Sequence, residues 1–268
     1  MIDIGPLTRW ADAYEADPLQ QYEMEVPGCG GMSPGQRTVH QSDHPRRLLI
    51  AGNQIGKTRA LAAEVWWLAL GRHPFRQAPA APTIGWVMCA DLKGGWVNFS
   101  AKLREIQPPG VLHESVVYDS ARGYTHRSVK MLRLANGSLI VGKSGTQEVM
   151  ALAGATIDYL VIDELPKQAH FAEALTRVAV HGGPVLMSFT PIGRPCDWLR
   201  HHVEGDPNTG KPATEEWDIQ RITLSPENCP HRSVVSIENQ IAGYGPWEYA
   251  QRVEAAWEGV TTDRWISF

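Results

Sequence analysis

RLLIAGNQIGKT, Arg47 to Thr58, is the stretch on which the reading of this chain turns. Its first part, Arg47–Ala51, is a short apolar run ending in a small residue, the pattern of a buried parallel strand. Its second part, AGNQIGKT, fits GxxxxGK[ST] at every fixed position except the first, where Ala51 replaces glycine. TRALAAEVWWLALG (Thr58–Gly71) then reads as a helix, with Gly71 as its C′ residue and Pro74 just beyond. Strand, glycine loop and helix in that order make a phosphate cradle. Backbone N–H groups converge on an anion, and the helix dipole favours negative charge there. Gly56 permits close approach, Lys57 reaches the β- and γ-phosphates, and the Thr58 hydroxyl is suited to Mg2+. Ala51, Gly52, Asn53, Gln54, Ile55, Gly56, Lys57 and Thr58 are the expected nucleotide contacts.

Downstream, YLVIDE (Tyr159–Glu164) is a hydrophobic strand ending in two acids. Asp163 at the strand tip would hold Mg2+, and Glu164 would polarise the attacking water. An Asp-Glu pair favours hydrolysis over phosphoryl transfer to a small substrate. Ser188-Phe189-Thr190-Pro191 closes another buried strand, and a hydroxyl at its tip is placed to sense the terminal phosphate. Gln36, upstream, reads either as an amide for the adenine edge or as a surface side chain.

The remaining elements fit the same plan. Thr83–Ala90 reads as a strand, followed by a helix capped by Asp91 and stopped at Pro108-Pro109. Ser128–Leu134 and Ser138–Lys143 flank Asn136-Gly137, a two-residue hairpin signal. Pro166 opens a helix holding Phe171 to Val178, and Pro184–Phe189 is a further strand. Residues 1–45 read as irregular, with Val26–Gly35 as a loop. Glu216–Leu224 reads as a strand, and Val234–Ile241 and Pro246–Ala256 as helices. The expected fold is an α/β P-loop NTPase of the ASCE/RecA-like kind: a mostly parallel sheet, helices on both faces, and a small C-terminal lid. The expected segments are an N-terminal extension (1–45), the ATPase core (46–205) and a lid or linker (206–268).

With 268 residues, 43% hydrophobic and 20% charged, the composition is that of an ordinary globular chain. A net charge of −4 excludes a histone-like basic protein but leaves room for a local nucleic-acid patch. No apolar run reaches membrane-span length, and the first residues lack the apolar core of a secretory signal. Cys29, Cys89, Cys196 and Cys229 lack zinc-site spacing, which points to buried thiols in a reducing compartment.

Taken together, AGNQIGKT, YLVIDELP and SFTP, with Gln36 upstream and Gly154–Thr156 before the acidic strand, resemble the ATPase domain of the large terminase subunit of tailed bacteriophages. The resemblance runs from roughly Met32 to Phe268. It implies an ATP-driven motor with Mg2+ on Thr58 and Asp163, Glu164 as catalytic carboxylate, and Ser188 and Thr190 as a coupling motif. It further implies a homo-oligomeric ring on the portal of a procapsid, in the bacterial host cytoplasm and away from membranes. Double-stranded DNA is then the cargo, chosen with a small terminase subunit.

The chain departs from that pattern in places. Many relatives carry arginine at the position of Gln54, and some at that of Ala153. An arginine finger, worth about 10³–10⁵ in rate, must then come from Arg122, Arg127, Arg177 or Arg194, with Arg177 preferred on the helix after Glu164. DNA would be gripped by its phosphates without base readout. The grip is expected in Lys93–Lys102 or in RGYTHRSVK, through Arg122, Arg127 and Lys130, with Tyr124 interleaved. The family's nuclease is a separate downstream domain, so no DNA cleavage is expected from this polypeptide. Two alternatives stay open: a non-catalytic nucleotide-binding assembly module, or another ring-forming DNA translocase or repair ATPase. A two-lobed helicase is disfavoured, because too little chain follows Val185 for a second core.

Overall fold

A computed structural model describes residues 16–24, 31–52, 54–190, 197–204, 219–225, 242–245, 248–249 and 253. The expected helices at 234–241 and 246–256 lie largely outside these residues, as does most of the expected lid.

The segment before the phosphate loop is more ordered than its irregular reading. Helix α1 (Pro18–Glu23) is capped by the Asp17 carboxylate, and helix α2 (Pro34–Gln41) opens with a capping box between Ser33 and Gln36. The Ser-x-x-Gln signal with proline at the first helical position was there to be read. Strand β1 (Arg46–Ala51) follows, then helix α3 (Lys57–Ala69). Strand β2 (Ile84–Cys89) leads to helix α4 (Gly95–Glu105), whose preceding turn is tied by Asp91 accepting from Lys93 and Gly94 N–H.

Next come strands β3 (Val116–Asp119) and β4 (Gly123–His126), a separate antiparallel pair. Strands β5 (Met131–Arg133) and β6 (Leu139–Ser144), a short 3-10 turn, strand β7 (Tyr159–Asp163) and helix α5 (Gln168–Ala179) follow. Strand β8 (Val185–Phe189), helix α6 (Asp197–Glu204) and strand β9 (Gln220–Leu224) complete the described elements.

Among the described residues, the main sheet has seven strands in the order β5-β6-β2-β7-β8-β1-β9, parallel throughout except for β5 against β6. Both faces are covered, which explains the continuous apolar runs in the sequence. Leu49, Val87, Val161 and Leu186 point into one cluster with α3, α4 and the N-terminal helices. Leu48, Met88, Ile162 and Met187 point into the other with Phe171 and Leu175 of α5 and Leu199 of α6.

The β5–β6 turn differs from the two-residue form expected of Asn136-Gly137. Leu134 N–H donates to the Ser138 carbonyl at 2.9 Å, and Gly137, at φ +90°, takes the left-handed position while Asn136 does not. The result is a three-residue loop. Asn136 is held otherwise: its amide donates to the Ala69 carbonyl and accepts from Ser138 N–H, both at 3.0 Å.

Inside the first cluster lies an ionic knot. Glu64, on α3, is fully buried and receives both guanidinium nitrogens of Arg47 from β1, at 3.0 and 3.1 Å. Arg76 also pairs with it, and His73 Nε2 lies 3.4 Å away. With Nδ1 protonated, His40 of α2 donates to Glu64 at 2.8 Å and accepts from the Tyr22 hydroxyl at 2.9 Å. Burial alone would raise the Glu64 carboxyl; Arg47 and the other partners outweigh it and hold the group well below the ordinary carboxylate range. Burial keeps the His40 and His73 imidazoles below the usual histidine value, although Glu64 pulls the other way.

Two outcomes follow for stability. Glu64→Gln leaves the Arg47 guanidinium buried against a neutral partner and should lower the unfolding free energy by about 3–5 kcal/mol, read from a urea titration. For pH, the unfolded chain protonates these histidines where the folded chain does not. Stability should therefore decline as pH falls below about 6.5, and decline again at lower pH as Glu64 protonates. A flat urea midpoint between about pH 8 and about pH 5.5 would contradict this.

Candidate functional site

Parallel strands carry their loops at the carboxyl ends, and ligands gather there. Because β8 lies between β1 and β7, the phosphate loop, the Ser188–Thr190 strand end and the Asp163-Glu164 pair meet at one edge.

The loop itself has the backbone of an anion cradle. Gln54 and Gly56 both have positive φ, +59° and +93°. Helix α3 starts from Gly56 with no side-chain cap on its first N–H groups, so those donors are left for a ligand. Ala51 and Ile55 are buried, Gln54 is exposed, and Asn53 lies outside the described residues. Ala51 causes no conflict, since it is the last residue of β1 and keeps negative φ.

Lys57 reaches into this edge and is almost wholly buried. Its ammonium donates to the carbonyls of Ala51 and Gly52, at 3.0 and 2.7 Å, and to the Thr190 hydroxyl at 2.8 Å. Burial lowers its pKa, while Glu164 and Asp163 pull it back up. The Thr58 hydroxyl donates to the Asp163 carboxylate at 3.3 and 3.4 Å, and the Ser188 hydroxyl donates to the same carboxylate at 3.1 Å. Burial raises the Asp163 carboxyl, against the Ser188 hydrogen bond and the charge of Lys57. Hard oxygen donors facing one another at Thr58 and Asp163 are the chemistry that suits Mg2+.

Glu164 sits where the chain leaves β7. Its N–H donates to the Ser188 carbonyl at 2.9 Å, extending the ladder one step, and its φ is +75°. A non-glycine residue in that region is strained. The strain turns the chain sharply just after Asp163, so two successive acids take different settings at one strand end.

Sequence reasoning missed part of the wall. A cavity of about 460 Å³ opens beside the loop, lined by Gln54, Gly56, Lys57, Thr58 and Arg59, with Lys102 and Glu105 of α4 across from them. Arg59 directly follows the loop motif, so its position was legible. The approach of α4 is a matter of tertiary packing.

Other expectations need correction. Gln36 is buried, and its amide is engaged: Oε1 accepts from Ser33 N–H and Nε2 donates to the Gly56 carbonyl, both at 2.9 Å. It braces the phosphate loop from α2 and is neither a surface amide nor an open adenine reader. Arg177 pairs with Glu173 at 2.8 Å, and its carbonyl accepts from Ile157 N–H, beside the start of β7. A helix leaving a strand's carboxyl end runs back along the sheet, so its last turn lies at the far edge. Arg177 therefore lies away from its own phosphate loop, and a finger role for it would be played on a neighbouring subunit.

In the basic stretch, Arg122 and Arg127 are exposed, and Lys130 donates to the Arg122 carbonyl. Tyr124 is not a stacking surface. It is buried, its hydroxyl bonded to Gln107, because β4 packs on α4. Lys102 pairs with Glu105 on its own helix. Arg194 lies outside the described residues.

Comparison with known proteins matches residues 48–268 to the family described as terminase large subunit, T4likevirus-type, N-terminal. No curated protein matches the chain. Among solved structures, the large terminase ATPase domain of Thermus phage P74-26 is similar at 19% identity and TM-score 0.58, over 83% of this chain and 92% of that one. The large terminase of a thermophilic bacteriophage is similar at 14% identity and TM-score 0.64, over 84% of this chain and 53% of that one. The same large terminase in complex with ATP-gamma-S gives 14% identity and TM-score 0.59, over 84% of this chain and 52% of that one. This chain thus spans about half the length of that second protein. At such identities the likeness is one of fold.

The left-handed setting of Gly56 is directly testable. Gly56→Ala should cost about 1–2 kcal/mol of stability through its Cβ, measured by urea unfolding. An unchanged midpoint would mean that the loop takes a different backbone.

Proposed function

Because the chain belongs to the terminase large-subunit family, through its T4likevirus-type N-terminal domain, we propose that it is an ATP-hydrolysing motor that drives double-stranded viral DNA into a procapsid. The observation that carries this reading is the meeting of Lys57, Thr58, Asp163, Ser188 and Thr190 at three adjacent strand ends. Magnesium ATP, when bound, supplies a transferable γ-phosphoryl group.

The chain's own groups have separable tasks. The N–H groups of the loop and of the α3 start bind phosphate oxygens. Lys57, already stripped of water, neutralises their charge. Thr58 and Asp163 would hold the metal. Glu164 orients the attacking water and accepts its proton. Thr190, hydrogen-bonded to Lys57, and Ser188, hydrogen-bonded to Asp163, tie the end of β8 to both halves of the site. A change at the phosphate is thereby passed to the chain that follows β8, where the coupling role and the lid belong.

The same reading places subunits in a ring at a portal, assisted by a small terminase subunit, in the host cytoplasm. The exposed Arg122 and Arg127 would contact DNA phosphates. The finger arginine would come from a neighbouring subunit, since Arg177 is turned to the far edge of its own sheet.

Steady-state ATP hydrolysis against protein concentration, with and without double-stranded DNA, tests the proposal. Glu164→Gln should lower turnover by about 10²–10⁴-fold while nucleotide binding persists. Lys57→Ala should instead weaken binding itself by about 10–150-fold. Equal, negligible turnover in wild type and Glu164→Gln, with binding intact, would favour a non-catalytic assembly module.

A further inference from the structure

We propose that Arg59 is a second cationic contact for the nucleotide, on the sugar-proximal phosphate and away from the bond that breaks. The inference rests on the nucleotide reading of the phosphate loop, and it concerns a residue to which neither the loop motif nor the metal pair assigns a role.

Arg59 is the third residue of α3 and lines the 460 Å³ cavity beside the loop. The reacting end of the ligand is set by Lys57, Thr58, Asp163 and Thr190. One residue beyond Thr58, the helix has rotated by about 100°. Arg59 therefore points away from the Thr58 side of the helix, and it lines the cavity together with Gln54, Lys102 and Glu105.

Its charge state is the second observation. Among the described residues, the other cations near this face are engaged: Lys57 on two carbonyls and Thr190, Lys102 on Glu105, Arg47 and Arg76 on Glu64. The Arg59 side chain has no ion pair and no hydrogen bond among the described residues, and its Nε is buried without a partner. Its guanidinium lies over the face of Tyr22, with the guanidinium carbon 5.5 Å from the ring centroid. Stacking of this kind holds a guanidinium by its flat face and leaves its N–H edge without acceptors. Arg59 is half-buried and only its Nε is fully enclosed, so its terminal N–H groups are left for an acceptor that arrives from outside the chain.

Phosphate oxygens match that need. A guanidinium offers two parallel donors to two oxygens of one phosphate, where an ammonium acts as a point charge. Lys57 serves the reacting end as such a point charge. Arg59, one step along the helix, serves the sugar-proximal phosphate, one of the two that a nucleoside diphosphate and triphosphate share.

Calorimetric titration of the full chain with ADP and with ATP-gamma-S reads this directly. Arg59→Ala should weaken both ligands by the same factor, about tenfold to a hundredfold, and Arg59→Lys should recover part of the loss. Arg59→Gln keeps the stem and a planar head without the charge, and serves if the alanine variant unfolds.

Unchanged affinities, with only a lower melting temperature in the absence of ligand, would reduce Arg59 to a brace for Tyr22 and overturn the inference. A larger loss for ATP-gamma-S than for ADP would place Arg59 on the terminal phosphate and overturn it as well. If wild type binds neither ligand, the nucleotide reading itself fails, and that is visible before any variant is made.

Discussion

A carboxylate with no exposed surface, Glu64, fixes the helix that carries the phosphate loop. It lies on α3 about two turns after Lys57, and its partners come from β1, from α2 and from the segment after α3. An isolated charge at that depth would be prohibitive. Paired and hydrogen-bonded, it converts the cost into a demand for one arrangement of three elements. The Arg47 guanidinium spans from Glu64 to the Val39 carbonyl at 2.7 Å, so one side chain ties β1, α2 and α3 together. The loop between β1 and α3 is suspended between parts that cannot slide.

A second brace acts on the loop itself. Gln36 comes from the same α2 helix and holds the Gly56 carbonyl, while Lys57 closes back on the carbonyls of Ala51 and Gly52. The left-handed settings at Gln54 and Gly56 are thus held from both sides. At the facing strand end, Glu164 carries a positive φ secured by the Ser188 carbonyl. Besides the Arg127-Ser128 turn, positive φ at non-glycine residues among the described residues falls where the chain must turn sharply to present groups to an anion and its metal. That is where strain is useful, because it sets the groups in place before the ligand arrives.

Much of the site was legible because its chemistry depends on local order. Strand, glycine, lysine and threonine over Arg47–Thr58 describe a cradle in any surrounding, since the backbone donors come from consecutive residues. YLVIDE is likewise self-sufficient as a strand with acids at its tip. The missed groups work through distant partners. Gln36 read either as an amide for a base edge or as a surface side chain, yet its two ends meet Ser33 and Gly56, the latter twenty residues along the chain. Tyr124 stood among basic residues as if for stacking, and packing on α4 buried it. Arg177 was close to Glu164 in sequence, but α5 carries it to the other edge of the sheet.

By itself, then, the sequence determined the strands and helices around the phosphate loop, the covered parallel sheet, the phosphate-binding loop and the acids that face it. Each of these depends on spacing along one short segment, where hydrophobic period and backbone freedom are the governing physics. Only the tertiary structure decided that β8 separates β1 from β7, and so that Thr190 meets Lys57 and Ser188 meets Asp163. It also decided that Glu64 is the buried hub and that Arg59 stands beside the loop without an acceptor. Strand order and the pairing of buried charges depend on contacts between residues far apart in the chain, and no local pattern encodes them.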